Sequence, residues 1–200
     1  MRAPPLSRLL ISDQSRCPDW RAALAAAKHS AGSRARQNVG LILRDYDFPA
    51  RAELAQDMAT YCAREKLYFA IAGDARLAAK HGAAFHCPSY LLARPAARLG
   101  RALACDFAAV HNRAQLRQAA KAGFGNVFLS PVFATQSHIG APPLGVIRAR
   151  TLAKLASHYG LRAYALGGMN EATWERLNGQ SQAFHGFGAI DAFVTNPPAP

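Results

Sequence analysis

No stretch of this chain is apolar for long enough to cross a bilayer, and the N-terminus offers only the short run Leu9–Ser12. A transmembrane helix needs about 20 apolar residues, and a secretory leader also needs a longer apolar segment. A cytoplasmic location is therefore expected. Cysteine is sparse: Cys17, Cys62, Cys87 and Cys105 lie far apart, with no CxxC pair. That spacing argues against a disulfide framework, and His86-Cys87 alone is too small a seed for a closed zinc site. No linker rich in Pro, Gly or Ser divides the 200 residues, so one domain is expected. Its core should span about 5–193, with 194–200 as a flexible C-terminal tail. Acidic residues are scarce as well, 12 against 24 Lys and Arg, for a net charge of +12. A basic excess suits nucleic acid, an anionic surface or a phosphorylated substrate. The cations are scattered, mostly arginine, and none forms a basic run interleaved with aromatics, which speaks against nucleic acid.

What is present is alternation. Short β-like runs occur at Arg8–Ser12, Val39–Arg44, Leu67–Ala72, Ala83–His86, Phe107–Val110, Asn126–Leu129, Ala163–Leu166 and Ala183–Phe187. Helical patterns separate most of them: Trp20–His29, Arg51–Lys66, Ala75–His81, Arg113–Ala122, Val146–Tyr159 and Glu171–Asn178. In the second of these, Leu54, Met58, Tyr61 and Cys62 make one apolar stripe. Asn112 and Asn170 stand where N-caps belong, and Gly123 and Gly160 where helices stop. Alternating strands and helices give parallel βαβ units with right-handed crossovers. Eight strands imply an α/β, single-domain (β/α)8 TIM barrel, with a doubly wound open sheet as the alternative. Against that alternative, no G-x-G-x-x-G follows the first strand. The segment Cys87–Arg101 carries Pro88 and Pro95, so the fourth helix should be short or broken.

In such a barrel, function sits on the loops after the strands. Strand seven ends in Leu166-Gly167-Gly168-Met169-Asn170, and strand eight runs into Gly188-Ala189-Ile190. Glycines there permit close approach and present backbone N–H groups at helix starts, which favours an anion such as phosphate. The plainer reading is a pair of tight turns. Arg44, at the end of strand two, could grip phosphate with its planar fork or pair with Asp45 or Asp47. Asp74 could cap the helix at Ala75–His81 or hold a Mg²⁺ whose other ligands are water and substrate. His86 and His111 end strands four and five.

Several motifs in order resemble the thiamine-phosphate synthase and TenI family. The run SPVFATQSHIGAPPLG, residues 130–145, resembles that family's G-P-x-F-x-T-x-[T/S]-K…P-P-L-G loop, and LGGMN resembles its I-G-G-[I/M] turn. LLISD, AIAGD and GAAFHCP stand where the family has L-I-T-D, I-I-N-D and A-D-G-V-H-L-G. The resemblance extends from about Pro5 to Phe193. It implies a (β/α)8 barrel that joins hydroxymethylpyrimidine diphosphate to hydroxyethylthiazole phosphate, releasing pyrophosphate with help from Mg²⁺. By position, it implies a catalytic set in which Arg44 grips the diphosphate and Ser137 and His138 contact phosphate oxygens, with Asp74 ligating the metal. It implies that Thr135, Gly167, Gly168, Met169, Gly188, Ala189 and His111 bind substrate, in a chain able to form a homo-oligomer. Departures fall together on the diphosphate side. The family's Gln-x-Arg-x-Lys reads Ile42-Leu43-Arg44-Asp45-Tyr46, the Asn of N-D is Gly73, and the second metal carboxylate falls near Leu91. The loop's Lys is His138, and the Ser of the last phosphate turn is Gly188. The alternative is a TenI-like or non-catalytic thiazole-phosphate binder that has lost the Mg²⁺–diphosphate half.

Overall fold

The structure, a computed structural model, describes residues 6–32, 38–93, 107–136, 140, 142–179 and 181–194. Eight parallel strands close into a barrel in sequence order: β1 Arg8–Ile11, β2 Val39–Leu43, β3 Tyr68–Ala72, β4 Ala84–Cys87, β5 Phe107–Val110, β6 Asn126–Leu129, β7 Arg162–Leu166 and β8 Gly186–Ala189. The register closes between β8 and β1, where Gly188 pairs with Leu9. Among the described residues six α-helices lie between strands: α1 Trp20–Ser30, α2 Arg51–Arg64, α3 Ala75–Lys80, α4 Arg113–Ala122, α5 Gly145–His158 and α6 Glu171–Asn178. The chain is thus a (β/α)8 barrel, and no described helix is long and apolar enough to cross a membrane.

Local chemistry sets the ends of these elements. Asn112 accepts the Gln115 N–H at the start of α4, and Asn170 forms a reciprocal capping box with Thr173 at the start of α6. Gly123, at φ +87°, ends α4 in the left-handed region. The α2 stripe is partly as expected: Met58 and Cys62 are buried, while Leu54 and Tyr61 pack against the core edge. After β4 only a 3₁₀ turn at Ser89–Leu91 precedes the region 94–106, so the proline-rich fourth connection does start as a short element. The remainder of that segment, Cys105, Ser137, His138 and the tail from 195 lie outside the described residues.

Strand eight is a correction. The apolar pair Ala183-Phe184 precedes the strand rather than forming it, and β8 is the glycine-bearing segment Gly186–Ala189. Asn178 explains the shift. Its side chain donates to Phe184 O at 3.1 Å and accepts from Phe184 N at 3.0 Å, so a side chain satisfies the backbone that would otherwise seek the sheet.

An aromatic plug fills the barrel interior. Phe107 and Phe128 stack at 4.6 Å between centroids, Tyr164 meets Phe107 edge-on at 4.9 Å, and His86 meets Phe128 at 5.6 Å. Phe128 also reaches the level of the mouth, since a Cβ on Gly188 would lie 3.0 Å from its ring. Any ligand site must therefore lie above this plug, on the loops at the carboxyl ends of the strands.

Candidate active site

A cleft of about 180 Å³ lies at those carboxyl ends. Its floor is Ile11, Leu166 and Gly188, and a Cβ at Gly188 would press on Phe128, Leu166 and Ile11 at 3.0–3.3 Å. Seven of the expected residues meet here: Arg44, Thr135, Gly167, Gly168, Met169, Gly188 and Ala189.

The wall after β6 and the Gly-Gly turn after β7 interlock. Ser130-Pro131 is a cis peptide, and the chain that follows donates Val132 N–H to Leu166 O at 2.9 Å and Phe133 N–H to Gly167 O at 3.1 Å. Gly167 and Gly168 have φ of +90° and +63°. A Cβ on Gly168 would stand 2.5 Å from Ala134 O, and one on Gly167 would stand 2.8 Å from Pro131 Cα. The glycine pair is therefore required by the protein's own packing as well as by any ligand. Among the described residues, the N–H groups of Gly168 and Met169 meet no acceptor, and they stand at the rim of the cleft. Such a rim suits an anion.

Arg44 faces this rim from β2. Its guanidinium pairs with Asp13 at 3.4 Å, not with Asp45 or Asp47 as the local sequence suggests. Asp45 is committed elsewhere, accepting from Ser12 Oγ and, at 2.5 Å, from the Gln14 N–H. Two charged residues not picked out from sequence also line the cleft: Arg16, from the loop after β1, and Asp191, in the 3₁₀ turn after β8. They form a direct ion pair. Ser130, Ala134, Gln136 and Ile190, which lie in the two segments quoted from the sequence but were assigned no role there, also line the cleft.

Two expected residues lie apart from the cleft lining. His111 follows β5 with Nδ1 2.6 Å from Ser130 O and Nε2 3.0 Å from Ser89 Oγ. A carbonyl only accepts, so Nδ1 carries a proton, while Nε2 shares a hydrogen bond with the serine hydroxyl. His111 thus supports the loop that carries Ser130. Asp74 caps α3, accepting from Leu77 N–H at 2.9 Å, with its other oxygen 3.9 Å from Arg51. No three His, Cys, Asp or Glu residues gather as a metal site among the described residues. Beside Asp74, a Cβ on Gly73 would lie 2.9 Å from the Tyr46 ring and 3.5 Å from the Tyr90 hydroxyl.

Electrostatics sort these groups further. Burial, with the Arg44 guanidinium adding to it, pushes the His86 imidazole down to about 4, so it is neutral at neutral pH. Its Nδ1 is buried without a hydrogen-bond partner among the described residues. Burial raises the Tyr46 phenol to about 12, which keeps it uncharged as well.

A closed parallel barrel with an open, anion-suited cleft at the carboxyl ends defines a broad class of enzyme folds, and solved structures confirm that likeness. Thiamine phosphate pyrophosphorylase from Pyrococcus furiosus matches with a TM-score of 0.71 at 16% identity, over 94% of this chain and 87% of that one. KGPDC from Streptococcus mutans in complex with D-R5P matches at 0.67 and 15% identity, over 97% and 93%. A 2-keto-3-deoxy-6-phosphogluconate aldolase of Zymomonas mobilis matches at 0.61 and 16%, over 98% and 84%. Identities this low establish the fold alone. The family rests on sequence: the thiamine monophosphate synthase family model matches residues 9–184, and the chain belongs to that family. A protein of Aquifex aeolicus (strain VF5) named "Putative thiamine-phosphate synthase 2" is 36% identical over 67 residues. That alignment spans 34% of this chain and 33% of the Aquifex protein.

Proposed function

We propose that this chain is a thiamine-phosphate synthase-like transferase, joining hydroxymethylpyrimidine diphosphate to hydroxyethylthiazole phosphate. The observation that carries the reading is the cleft itself. The Gly167-Gly168 rim and Thr135 lie on one side of it, and Arg44 lies on the other. In this reading the thiazole phosphate sits against the Gly168 and Met169 N–H groups, with Gly188 leaving room beneath it. Arg44 faces the diphosphate. The bond between the pyrimidine methylene and the diphosphate oxygen breaks, its electron pair leaving with pyrophosphate. The thiazole nitrogen lone pair then forms the new C–N bond. Arg44 stabilises the charge that builds on the leaving oxygens, and the apolar floor of Ile11 and Leu166 keeps water from the cation.

Mg²⁺ is the group the family implies, and the donors near Asp74 do not fit a two-carboxylate cradle. One Asp74 oxygen caps α3, Arg51 stands by the other, Leu91 falls where a second carboxylate is expected, and Tyr46 covers Gly73. No step above uses the metal. The same observation favours a second reading, a thiazole-phosphate binder that does not condense. Incubating the purified chain with both substrates across a Mg²⁺ series, and measuring thiamine phosphate and pyrophosphate, separates the two. Thiamine phosphate formation supports the transferase. Thiazole-phosphate binding without product at any Mg²⁺ level leaves the binder, and no binding removes both.

A further inference from the structure

Arg16 is held across the mouth of the cleft by Asp191, and the two residues come from opposite ends of the chain, 175 positions apart. Arg16 belongs to the loop after β1 and Asp191 to the turn after β8, so the pair bridges the strands that close the barrel. Asp13 stands 3.8 Å from Arg16 on one side and 3.4 Å from Arg44 on the other. Both cleft arginines are thus occupied by carboxylates, and one carboxylate is shared.

We propose that Arg16 is a second anion-gripping residue of the cleft and that Asp191 is a competing internal ligand, which substrate phosphate displaces. The proposal rests on the phosphate reading above. A guanidinium donates to carboxylate and phosphate oxygens alike, and Asp191 Oδ2 engages the Arg16 Nη2 donor, so Asp191 holds a donor that a phosphate oxygen would take. A phosphate brings up to two charges and three acceptor oxygens where the carboxylate brings one charge and two oxygens. Asp191 is the carboxylate able to leave. Its side chain is 61% exposed on a three-residue turn, whereas that of Asp13 is 16% exposed and pairs with both arginines. On displacement Asp191 swings to solvent, and Asp13 keeps Arg16 and Arg44 aimed into the cleft. Without ligand the Arg16–Asp191 pair spans part of the mouth, and with ligand the phosphate takes the place of Asp191.

The test is calorimetric titration of the full chain with hydroxyethylthiazole phosphate and, separately, inorganic phosphate. Asp191→Asn keeps the shape and removes the competitor, so affinity should rise at least threefold. Arg16→Ala should lower it at least tenfold, with Arg16→Gln as a second variant retaining bulk, and thermal melts verifying that each folds. In the Arg16→Ala background the gain from Asp191→Asn should shrink below twofold. A gain that persists there means plain repulsion and overturns the competing-pair proposal. Affinity indifferent to Arg16 overturns it too, while the phosphate reading stands. A wild-type chain that binds neither probe overturns both.

Discussion

The interlock between the Gly-Gly turn and the loop after β6 can be tested by comparing two glycines with similar backbones and different surroundings. Gly168 has φ +63° and Gly73 has φ +75°, so alanine at either position pays a similar left-handed penalty of about 1–2 kcal/mol. Any gain from stiffening the unfolded chain is shared and drops out of the comparison. The obstacles differ. At Gly168 the new Cβ meets a backbone carbonyl, Ala134 O, at 2.5 Å, and Phe133 Cβ at 2.7 Å. At Gly73 it meets the edge of Tyr46, a side chain that is 44% exposed and free to turn away. Relieving the first contact means moving the loop by about 0.9 Å to reach the 3.4 Å of ordinary packing. That movement strains the Phe133 N–H bond to Gly167 O and the Val132 N–H bond to Leu166 O, each worth about 1 kcal/mol net. Gly168→Ala should therefore cost about 3–4 kcal/mol, and Gly73→Ala about 1–2 kcal/mol. Tyr46→Ala in the Gly73→Ala background should recover only the steric part of the latter. Urea unfolding of the three variants at one temperature reads the differences. If Gly168→Ala costs no more than Gly73→Ala, the Gly-Gly turn is not holding the loop, and its glycines serve some other purpose.

Two more outcomes follow from groups away from the cleft rim. The buried His86 imidazole, pushed down to about 4, stays unprotonated in the folded chain where the unfolded chain takes up a proton at about 6.5. Stability should fall as pH drops from 6.5 to 4, by about 3 kcal/mol in total, and this contribution should level off below 4. Denaturation midpoints for His86→Phe should lack that part of the slope, and an unchanged slope would refute the assignment. Arg8, buried, meets Glu171 through two hydrogen bonds at 2.9 and 2.8 Å and lies over the Phe187 ring at 4.4 Å. Glu171→Gln should cost about 1–2 kcal/mol, less than for a fully buried pair because Glu171 is half exposed; no loss in urea unfolding would show that the rings and the Ser7 carbonyl suffice to hold Arg8.

The strands from β1 to β7 were legible because each is covered on both faces and so reads as a nearly continuous apolar run. β8 was not. Its four residues, GFGA, include two glycines with little β preference, while the apolar signal at Ala183-Phe184 belongs to a loop held by Asn178. Helix ends were readable wherever a side chain does the capping, as at Asn112 and Asn170. The cleft was legible where its residues follow strand ends, since the barrel brings all such positions to one face; Arg44, Gly168 and Gly188 are of this kind. Asp74 also follows a strand, but its side chain serves the cap that local sequence allows. Arg16 and Asp191 escaped because their partnership spans the whole chain and no local period marks it. An arginine in the first strand–helix loop of a presumed barrel was the one available hint.

The departures on the diphosphate side also look different once placed in space. Read along the chain, Tyr46, Gly73 and the neighbourhood of Leu91 are three separate losses. In the fold, Tyr46 lies against the bare face of Gly73, and the Tyr90 hydroxyl reaches the same spot. A Cβ at position 73 would start 2.9 Å from a Tyr46 ring carbon, so glycine at 73 leaves the space in which that ring now rests. The phenol stays neutral, because burial holds it up to about 12. Arg51, the nearby cation, donates to Ala72 O at 2.7 Å and stands by Asp74, which ties it to structure. Arg44 and Arg16 are then the cations that line the cleft, with Asp13 between them. Under the proposed function, two arginines and the backbone of a glycine turn carry anion recognition, while the phenols cover Gly73 outside the cleft lining. Asn at 73 would displace the Tyr46 ring from this face, and Lys at 46 would leave the face of Gly73 bare, so the two positions are best changed together.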